Sequence, residues 1–259
     1  MKIAEYGMAL TVLGGEFNER LPKMNFIRER VVRIGGGIVR KFPWVAYYGL
    51  KQRHDHSFSE MPDRPPQNFE DLCWMFESNQ TNKGLVLLEL DEAVYLFRLV
   101  RGKPSPRILE IGRWRGGSTF LFAVASDQNA AITSIDIAPE NDRLLQDALE
   151  KTNLAHKVQL LVGPSAEADV GTQLYDLLFV DGDHSHEAAR RDYDHWKKTV
   201  KAGGHLALHN AAWGRPFTNV HSGSRDVAEE ISARDQQFFR REPDVGSLAL
   251  FIRTAKPWP

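Results

Sequence analysis

Two short stretches combine histidine with oxygen-bearing side chains, and six of the nine histidines lie between residues 184 and 221. His184 follows Asp181 by three positions, and His209 is followed directly by Asn210. An imidazole titrates near neutral pH and can therefore act as a general base. Carboxylate, amide and imidazole groups also ligate divalent cations. We predict catalytic roles for His184 and Asp181, and a site for Mg²⁺ or another divalent cation at Asp181, His209 and Asn210.

Several of these histidines also have simpler interpretations. His186 and His195 lie within a predicted helix, where solvated or capping roles are common. His205 begins a predicted strand and can cover a sheet edge. For His184 the alternative to catalysis is a hydrogen bond that supports a neighbouring site residue.

Short apolar runs alternate with helical patterns from residue 106 onward, which predicts βαβ units and a mostly parallel sheet with helices on both faces. The predicted strands are Arg107–Ile111, Ala131–Asp136, Val158–Val162, Tyr175–Asp181 and His205–Leu208. The predicted helices are Ser118–Ser126, Glu140–Lys151, His186–Val200 and Arg225–Ala233. Two further strand-like runs, at Gln237–Arg241 and Ser247–Arg253, have the spacing of an antiparallel hairpin. The fold class is therefore α/β, with seven strands.

Composition excludes several classes of protein. Lys and Arg total 33 against 34 Asp and Glu, so the net charge is −1 and nucleic acid is not the expected partner. The single cysteine, Cys73, excludes an internal disulfide and fits a reducing, cytoplasmic location. No apolar run approaches the ~20 residues of a membrane span, so we expect no transmembrane segment.

The composition of the chain changes near residue 80. Residues 1–80 are polar and aromatic with glycine and proline breakers, whereas residues 81–259 carry the regular alternation. We therefore predict an accessory segment at 1–80 and one domain at 81–259. The accessory segment would supply contacts to a substrate or an interface between subunits of a homo-oligomer.

A glycine-rich loop follows the first predicted strand. Gly112, Gly116 and Gly117 allow a tight turn before a helix that begins at Ser118. Open parallel sheets bind ligands outside the carboxyl ends of their strands. Asp136 ends the second strand, where a carboxylate can accept both hydroxyls of a ribose. These residues predict a nucleotide-like ligand, although glycines in such a loop can also be ordinary strand–helix turns.

Trp114 in this loop and Glu110 before it distinguish between two kinds of nucleotide-like ligand, those with phosphates and those without. A dinucleotide loop needs glycine where this chain has Trp114, and the carboxylate of Glu110 would repel phosphates. The same carboxylate suits an ammonium group. S-adenosylmethionine has a ribose, an adenine and a cationic amino-acid end but no phosphate, so the loop favours it over NAD. Ile137 and Ser165, which follow the second and third strands, and Asp181, which ends the fourth, are further predicted contacts to this cofactor.

These motifs together resemble class I S-adenosylmethionine-dependent methyltransferases over residues 80–255. The narrower resemblance is to the branch that holds macrolide-sugar O-methyltransferases and cephalosporin-hydroxylase-like proteins. The motifs that carry it are Ile108–Gly112, Gly116–Thr119, Asp136, Val180–His186, Asp192, Trp196, Gly203-Gly204 and Leu208–Asn210. The resemblance implies a Rossmann-like methyltransferase fold and O-methylation of a sugar or another small-molecule or glycan hydroxyl.

The resemblance also implies roles for individual residues. Asp181, His209 and Asn210 take the metal positions, and His184 takes the position of the base toward the acceptor hydroxyl. The chain departs from the branch at His209-Asn210, where an acidic pair is expected. Two alternatives remain: an NAD-linked oxidoreductase or epimerase, which Trp114 disfavours, and a non-catalytic binding protein with this fold, which the altered metal pair suggests.

Overall fold

The computed structural model describes residues 56–76, 84–213 and 220–259. Most of the predicted accessory segment, residues 1–55 and 77–80, therefore lies outside the described residues. Within the described ranges, no helix is both long and apolar enough to cross a lipid bilayer.

Five α-helices and seven β-strands alternate along the described chain. The helices are α1 (Leu90–Arg101), α2 (Gly117–Ala125), α3 (Asp142–Lys151), α4 (His186–Trp196) and α5 (Ser222–Arg234). The strands are β1 (Arg107–Ile111), β2 (Ala131–Asp136), β3 (Val158–Val162), β4 (Tyr175–Val180), β5 (Val200–Leu208), β6 (Phe239–Arg241) and β7 (Ala249–Arg253).

The seven strands form one sheet in the order β3-β2-β1-β4-β5-β7-β6. The strands from β3 to β5 pair in parallel, whereas β7 pairs antiparallel with both β5 and β6. The predicted α/β fold with a C-terminal antiparallel hairpin is confirmed. The strand order reverses between β1 and β4, which is where an open sheet of this kind leaves a ligand-binding crevice.

Side chains of each inner strand alternate between two apolar layers. Ile108 and Phe179 pack on the face covered by α1, α2 and α3, while Leu109 and Leu178 pack on the opposite face under α4 and α5. This alternation follows from the two-residue period of a strand. Because both faces are covered, the inner strands are apolar along nearly their whole length, as parallel strands usually are.

Residues 56–76 pack on the first of these layers although they precede the predicted boundary at residue 80. Phe58, Met61, Leu72 and Met75 are buried there, and the ring of Phe58 lies 5.2 Å from that of Phe120. The described part of this segment is thus continuous with the core of the domain.

Candidate active site

A crevice of about 380 Å³ opens at the carboxyl ends of β1, β2, β3 and β4. Five of the residues predicted to bind a cofactor line it: Gly112, Asp136, Ile137, Ser165 and Asp181. Trp114, Gly163, Arg191 and Asp192 also lie on its wall. The volume falls within the range of small-molecule and cofactor sites.

Gly112 allows the ends of β1 and β4 to approach each other closely. Its φ of +86° is a conformation that favours glycine, and a Cβ there would lie 2.2 Å from the carbonyl oxygen of Asp181. The amide of Gly112 also donates to the carbonyl of Ile135 across 2.8 Å. The glycine therefore fixes the floor of the crevice between three strand ends.

The carboxylate of Asp136 organises the glycine-rich loop. One oxygen accepts from the amides of Arg113 and Trp114, both at 2.8 Å, and the other accepts from the amide of Ala138 at 2.8 Å. An ionised carboxylate has about four acceptor sites, so three backbone bonds leave room for a hydroxyl. Asp136 thus both shapes the loop and offers an acceptor to a ligand in the crevice.

The wall beyond β2 and β3 is open and apolar. A Cβ placed on Gly163 would meet no atom within 4 Å, and the side chain of Ile137 is 71% exposed. The hydroxyl of Ser165 donates to Asp192, and burial raises the pKa of that carboxyl. This side of the crevice can therefore receive a flat ring whose edge faces a few polar groups.

The structure does not bring Glu110 to the crevice wall, which corrects its predicted role toward an ammonium group. Its side chain points to the face covered by α2, because the alternation of β1 places it with Ile108, and it is fully buried. It accepts hydrogen bonds from Thr119 and, at 2.6 Å, from Ser134. Burial raises the pKa of Glu110 to about 7, although the hydroxyls around it act in the opposite direction.

Three other predicted cofactor contacts also lie off the described crevice wall. Gly116 has a φ of +83° and packs on Leu145, and Gly117 packs on the carbonyl of Leu85. Ser118 is buried in the first turn of α2. These residues let the helix begin close to the sheet, so the structure places them in packing rather than on the crevice surface.

At the foot of the crevice, His209 lies between two carboxylates. Its Nδ1 donates to Oδ1 of Asp181 across 2.6 Å, and its Nε2 donates to Oε2 of Glu92 across 3.2 Å. Burial alone would lower the pKa of His209, but the two carboxylates raise it to about 10. Burial would raise the pKa of Glu92, whereas hydrogen bonds from His209 and Ser247 hold it below its usual value.

His184 lies beside this group, at the edge of a second hollow of about 580 Å³ that shares Gly182 and Asp183 with the crevice. Its Nε2 is 3.8 Å from Oδ1 of Asp181, and its ring stacks on His221 at 4.5 Å. Burial lowers the pKa of His184, so the ring is neutral at neutral pH. A neutral imidazole there can accept a proton from a molecule in the hollow.

The predicted metal ligands do not form a metal site. The described residues contain no group of three histidine, cysteine or acidic side chains arranged to hold a metal ion. His209 directs both ring nitrogens at carboxylates, and Nδ2 of Asn210 faces the hydroxyl of Ser247 at 3.4 Å. The donor set therefore does not fit the divalent cation that the sequence predicted.

Of the four other histidines of the cluster, His186 and His221 also line the second hollow, whereas His195 and His205 line neither hollow. His186 contacts Glu230 at 3.0 Å on the surface, His195 packs edge-on against Trp196, and His205 is half-buried within β5. The helix that follows Asp183 is capped by Ser185, not by Asp183.

Sequence reasoning missed two residues at the site, Glu92 and His221. Glu92 had a signal, because it lies four residues after Leu88 and four before Leu96, both of which are buried. A carboxylate within the apolar stripe of a helix requires a buried partner. His221 precedes α5, and its position beside His184 depends on how that helix packs on α4.

Sequence reasoning also missed a Tyr-x-x-x-Lys spacing at Tyr193 and Lys197, a pair that an NAD-linked oxidoreductase would use. Tyr193 is fully buried and its hydroxyl donates to Asp235 across 2.5 Å. Lys197 lies over the tyrosine ring and contacts Asp194 at 2.7 Å. Neither side chain lines the crevice in the described structure, so the pair packs α4 against α5.

The comparisons with known proteins agree with this geometry. Residues 109–211, which run from β1 to the turn after β5, match the family of methyltransferase domains. Over these residues the chain is similar to methyltransferase domains. The resemblance to class I S-adenosylmethionine-dependent methyltransferases is thereby confirmed, and with it the Rossmann-like sheet.

Among curated proteins, the chain is similar to several plant O-methyltransferases. It is 27% identical to tricin synthase 1 of Oryza sativa subsp. japonica over 160 residues, which are 58% of this chain and 62% of that protein. It is 28% identical to caffeoyl-CoA O-methyltransferase 2 of Eucalyptus globulus over 163 residues, again 58% of this chain and 62% of the relative. The chain thus spans about six tenths of the length of these relatives.

Solved structures share the fold. The O-methyltransferase TomG of Streptomyces achromogenes, solved with S-adenosylmethionine, superposes with a TM-score of 0.53 at 20% identity over 66% of this chain and 83% of its own. A methyltransferase from Geobacter sulfurreducens gives a TM-score of 0.50 at 17% identity and covers 98% of both chains. At these identities the likeness concerns the fold.

Proposed function

We propose that this chain transfers a methyl group from S-adenosylmethionine to the hydroxyl of a small-molecule acceptor. The observation that carries the proposal is the crevice at the β1/β4 switch point of a methyltransferase domain, in which Asp136 keeps an acceptor position free beside an open apolar wall. The name of one of the relatives, caffeoyl-CoA O-methyltransferase, supports oxygen as the accepting atom.

The crevice residues fit the parts of the cofactor. Asp136 offers its remaining acceptor position to a ribose hydroxyl, and the wall at Ile137 and Gly163 offers an apolar surface to the adenine. Asp181 also lines the crevice, and the single net negative charge shared by Glu92, His209 and Asp181 favours a cationic group there. S-adenosylmethionine supplies a methyl group on a sulfonium, which is already activated for transfer.

The chain's own contribution to the reaction is alignment and proton removal. The hollow at His184 adjoins the crevice through Gly182 and Asp183, so it is the place for the acceptor. A sugar or alkyl hydroxyl is a weak nucleophile until it loses its proton. We assign that proton to Nε2 of His184, whose ring is held by Ser224 through Nδ1 at 3.3 Å and by the stack on His221.

An NAD-linked oxidoreductase is disfavoured by the same loop. Trp114 stands where a dinucleotide loop needs glycine, and its amide is already bound to Asp136 at 2.8 Å. Tyr193 is buried and Lys197 is half-buried beside it, and neither lines the described crevice wall. A non-catalytic protein with this fold would bind the cofactor and transfer nothing, so an activity assay distinguishes it.

The test is methyl transfer from isotope-labelled S-adenosylmethionine to a panel of glycans, phenols and alkyl alcohols, followed by mass spectrometry of the products. We expect a methylated oxygen on at least one acceptor. The variant Ile137→Glu places a charge on the apolar crevice wall and should abolish transfer. Labelled product from no acceptor, together with tight cofactor binding, would favour the non-catalytic alternative.

A matched control is Leu174→Glu. Leu174 is also an exposed apolar residue, 47% exposed against 71% for Ile137, but it lies just before β4, at the opposite end of that strand from the crevice. It should leave transfer unchanged. Equal loss in both variants would indicate a general effect of the added charge and would count against the crevice as the cofactor site.

A further inference from the structure

We infer that His209, clamped between Glu92 and Asp181, occupies the place of the divalent cation that the resemblance implies, and that the domain holds no such cation there. The inference rests on the proposed function only in treating the crevice as the reaction site. It stands on the contacts of three side chains from α1, the end of β4 and the end of β5.

The first step is the hydrogen bonding of His209. Asp181 accepts from Nδ1 at 2.6 Å and Glu92 accepts from Nε2 at 3.2 Å. Ionised carboxylates only accept hydrogen bonds, so each of these contacts needs a proton on the ring nitrogen. With both nitrogens donating, the ring has no lone pair for a metal ion and carries the positive charge itself.

The second step is the way in which Glu92 is held. Its side chain is fully buried, and Oε2 also accepts from the amide of Glu89 at 2.8 Å within the first turn of α1. The other oxygen, Oε1, accepts from the amide of Ser247, and a Cβ on Gly246 would lie 2.4 Å from it. The turn before β7 therefore encloses the carboxylate, and Glu92 cannot swing away to expose His209.

The third step is charge. Two carboxylates around one protonated imidazole leave a single net negative charge, and the ring lies directly on Asp181. A divalent cation bound to that carboxylate would stand beside a fixed positive charge in a buried site, where repulsion is weakly screened. Asp181 is thus paired with a positive charge and oriented by the chain, as a bound metal ion would otherwise do.

Glu92 is therefore a positioning residue: it acts on the crevice through His209 and Asp181. A buried carboxylate in the apolar stripe of a helix is costly unless it is paired, and this pairing accounts for it. His209 in place of an acidic residue is then the change that makes a cation unnecessary at Asp181.

The experiment measures Mn²⁺ binding to the full chain by calorimetry and electron paramagnetic resonance. We expect no specific Mn²⁺ binding by the wild-type chain at this site. The variant His209→Asp should gain one Mn²⁺ equivalent with at least tenfold tighter binding, because it supplies a second carboxylate next to Asn210. The inference would be overturned if the wild type bound one Mn²⁺ equivalent and Asp181→Asn lost it. It would also be overturned if His209→Asp failed to bind Mn²⁺.

A second readout needs neither activity nor a metal. Long-range ¹H–¹⁵N spectra of the histidine-labelled wild-type chain should show one histidine with protons on both ring nitrogens, and this signal should be missing from His209→Asp. In Glu92→Gln this histidine should carry a proton on only one ring nitrogen. In Glu89→Gln it should keep protons on both. A neutral, singly protonated His209 in the wild type would contradict the inference. Cofactor binding, measured separately, reports on the proposed function and not on the metal.

Discussion

The Nδ1 atom of His209 donates to Oδ1 of Asp181 across 2.6 Å, and this bond joins the end of β5 to the end of β4 at the foot of the crevice. The same Asp181 oxygen lies 3.8 Å from Nε2 of His184. One oxygen of Asp181 therefore lies near two imidazoles. The ring of His209 is buried in the core, and the ring of His184 lines the second hollow. On this basis we propose that, of these two histidines, His209 is structural and His184 is reactive.

Substitution of His184 tests this proposal. In His184→Gln we expect turnover to fall by about 10²–10⁴-fold, the usual contribution of a general base, with cofactor affinity unchanged. The control is His195→Gln, whose ring packs edge-on against Trp196 and lines neither the crevice nor the second hollow. Steady-state kinetics with an acceptor from the panel provides the measurement. Similar turnover in the two variants would remove His184 from the mechanism.

Substitution of Gly112 tests the close approach of β1 and β4. In Gly112→Ala the new Cβ would overlap the carbonyl of Asp181 at a φ of +86°. We expect a loss of about 2–5 kcal/mol in the free energy of unfolding, from backbone strain and overlap together. Gly171 has a φ of +70° with open space around it, so Gly171→Ala should cost only about 1–2 kcal/mol. Urea unfolding that gives equal losses for both would show that the overlap is relieved.

Substitution of Glu110 gives a pH-dependent effect on stability. Burial raises the pKa of Glu110 to about 7 from 4.5, so the unfolded chain releases this proton at lower pH than the folded chain does. The contribution of Glu110 to stability is therefore greatest below pH 4.5, falls as pH rises from 4.5 to about 7, and is constant above that.

We accordingly expect Glu110→Gln to stabilise the chain at pH 8 by about 1–3 kcal/mol relative to its effect at pH 4, since glutamine has no charge to bury. Urea unfolding at the two pH values measures the difference. The exposed Glu150, which accepts from Gln146 on the surface of α3, provides the control variant Glu150→Gln. A pH-independent effect of Glu110→Gln would show that the carboxyl is ionised without penalty.

The sheet was largely predictable from the sequence. The bounds of β1, β2 and β3 coincide with the predicted Arg107–Ile111, Ala131–Asp136 and Val158–Val162, because each is an apolar run between turn residues. β5 begins at Val200 instead of His205, since Val200 pairs with Tyr175 of β4 before an irregularity that contains Gly203 and Gly204. The local hydrophobic pattern of the sequence does not show which residues of two strands pair.

The site was only partly predictable. Gly112, Asp136 and Asp181 lie at strand ends, and a parallel sheet brings strand ends together. The orientation of Glu110 was not predictable. Both faces of β1 are apolar, so the sequence does not show which face lies toward the crevice. Glu92 reaches His209 from a helix 117 positions earlier, a contact that depends on how α1 packs.

The most direct test of the central claim is a calorimetric titration of the wild-type chain with S-adenosylmethionine and, in parallel, with NAD. We predict binding of one equivalent of S-adenosylmethionine, at least 100-fold weaker in Ile137→Glu and unchanged in Leu174→Glu, and no binding of NAD. Binding of NAD without binding of S-adenosylmethionine would contradict the proposed function.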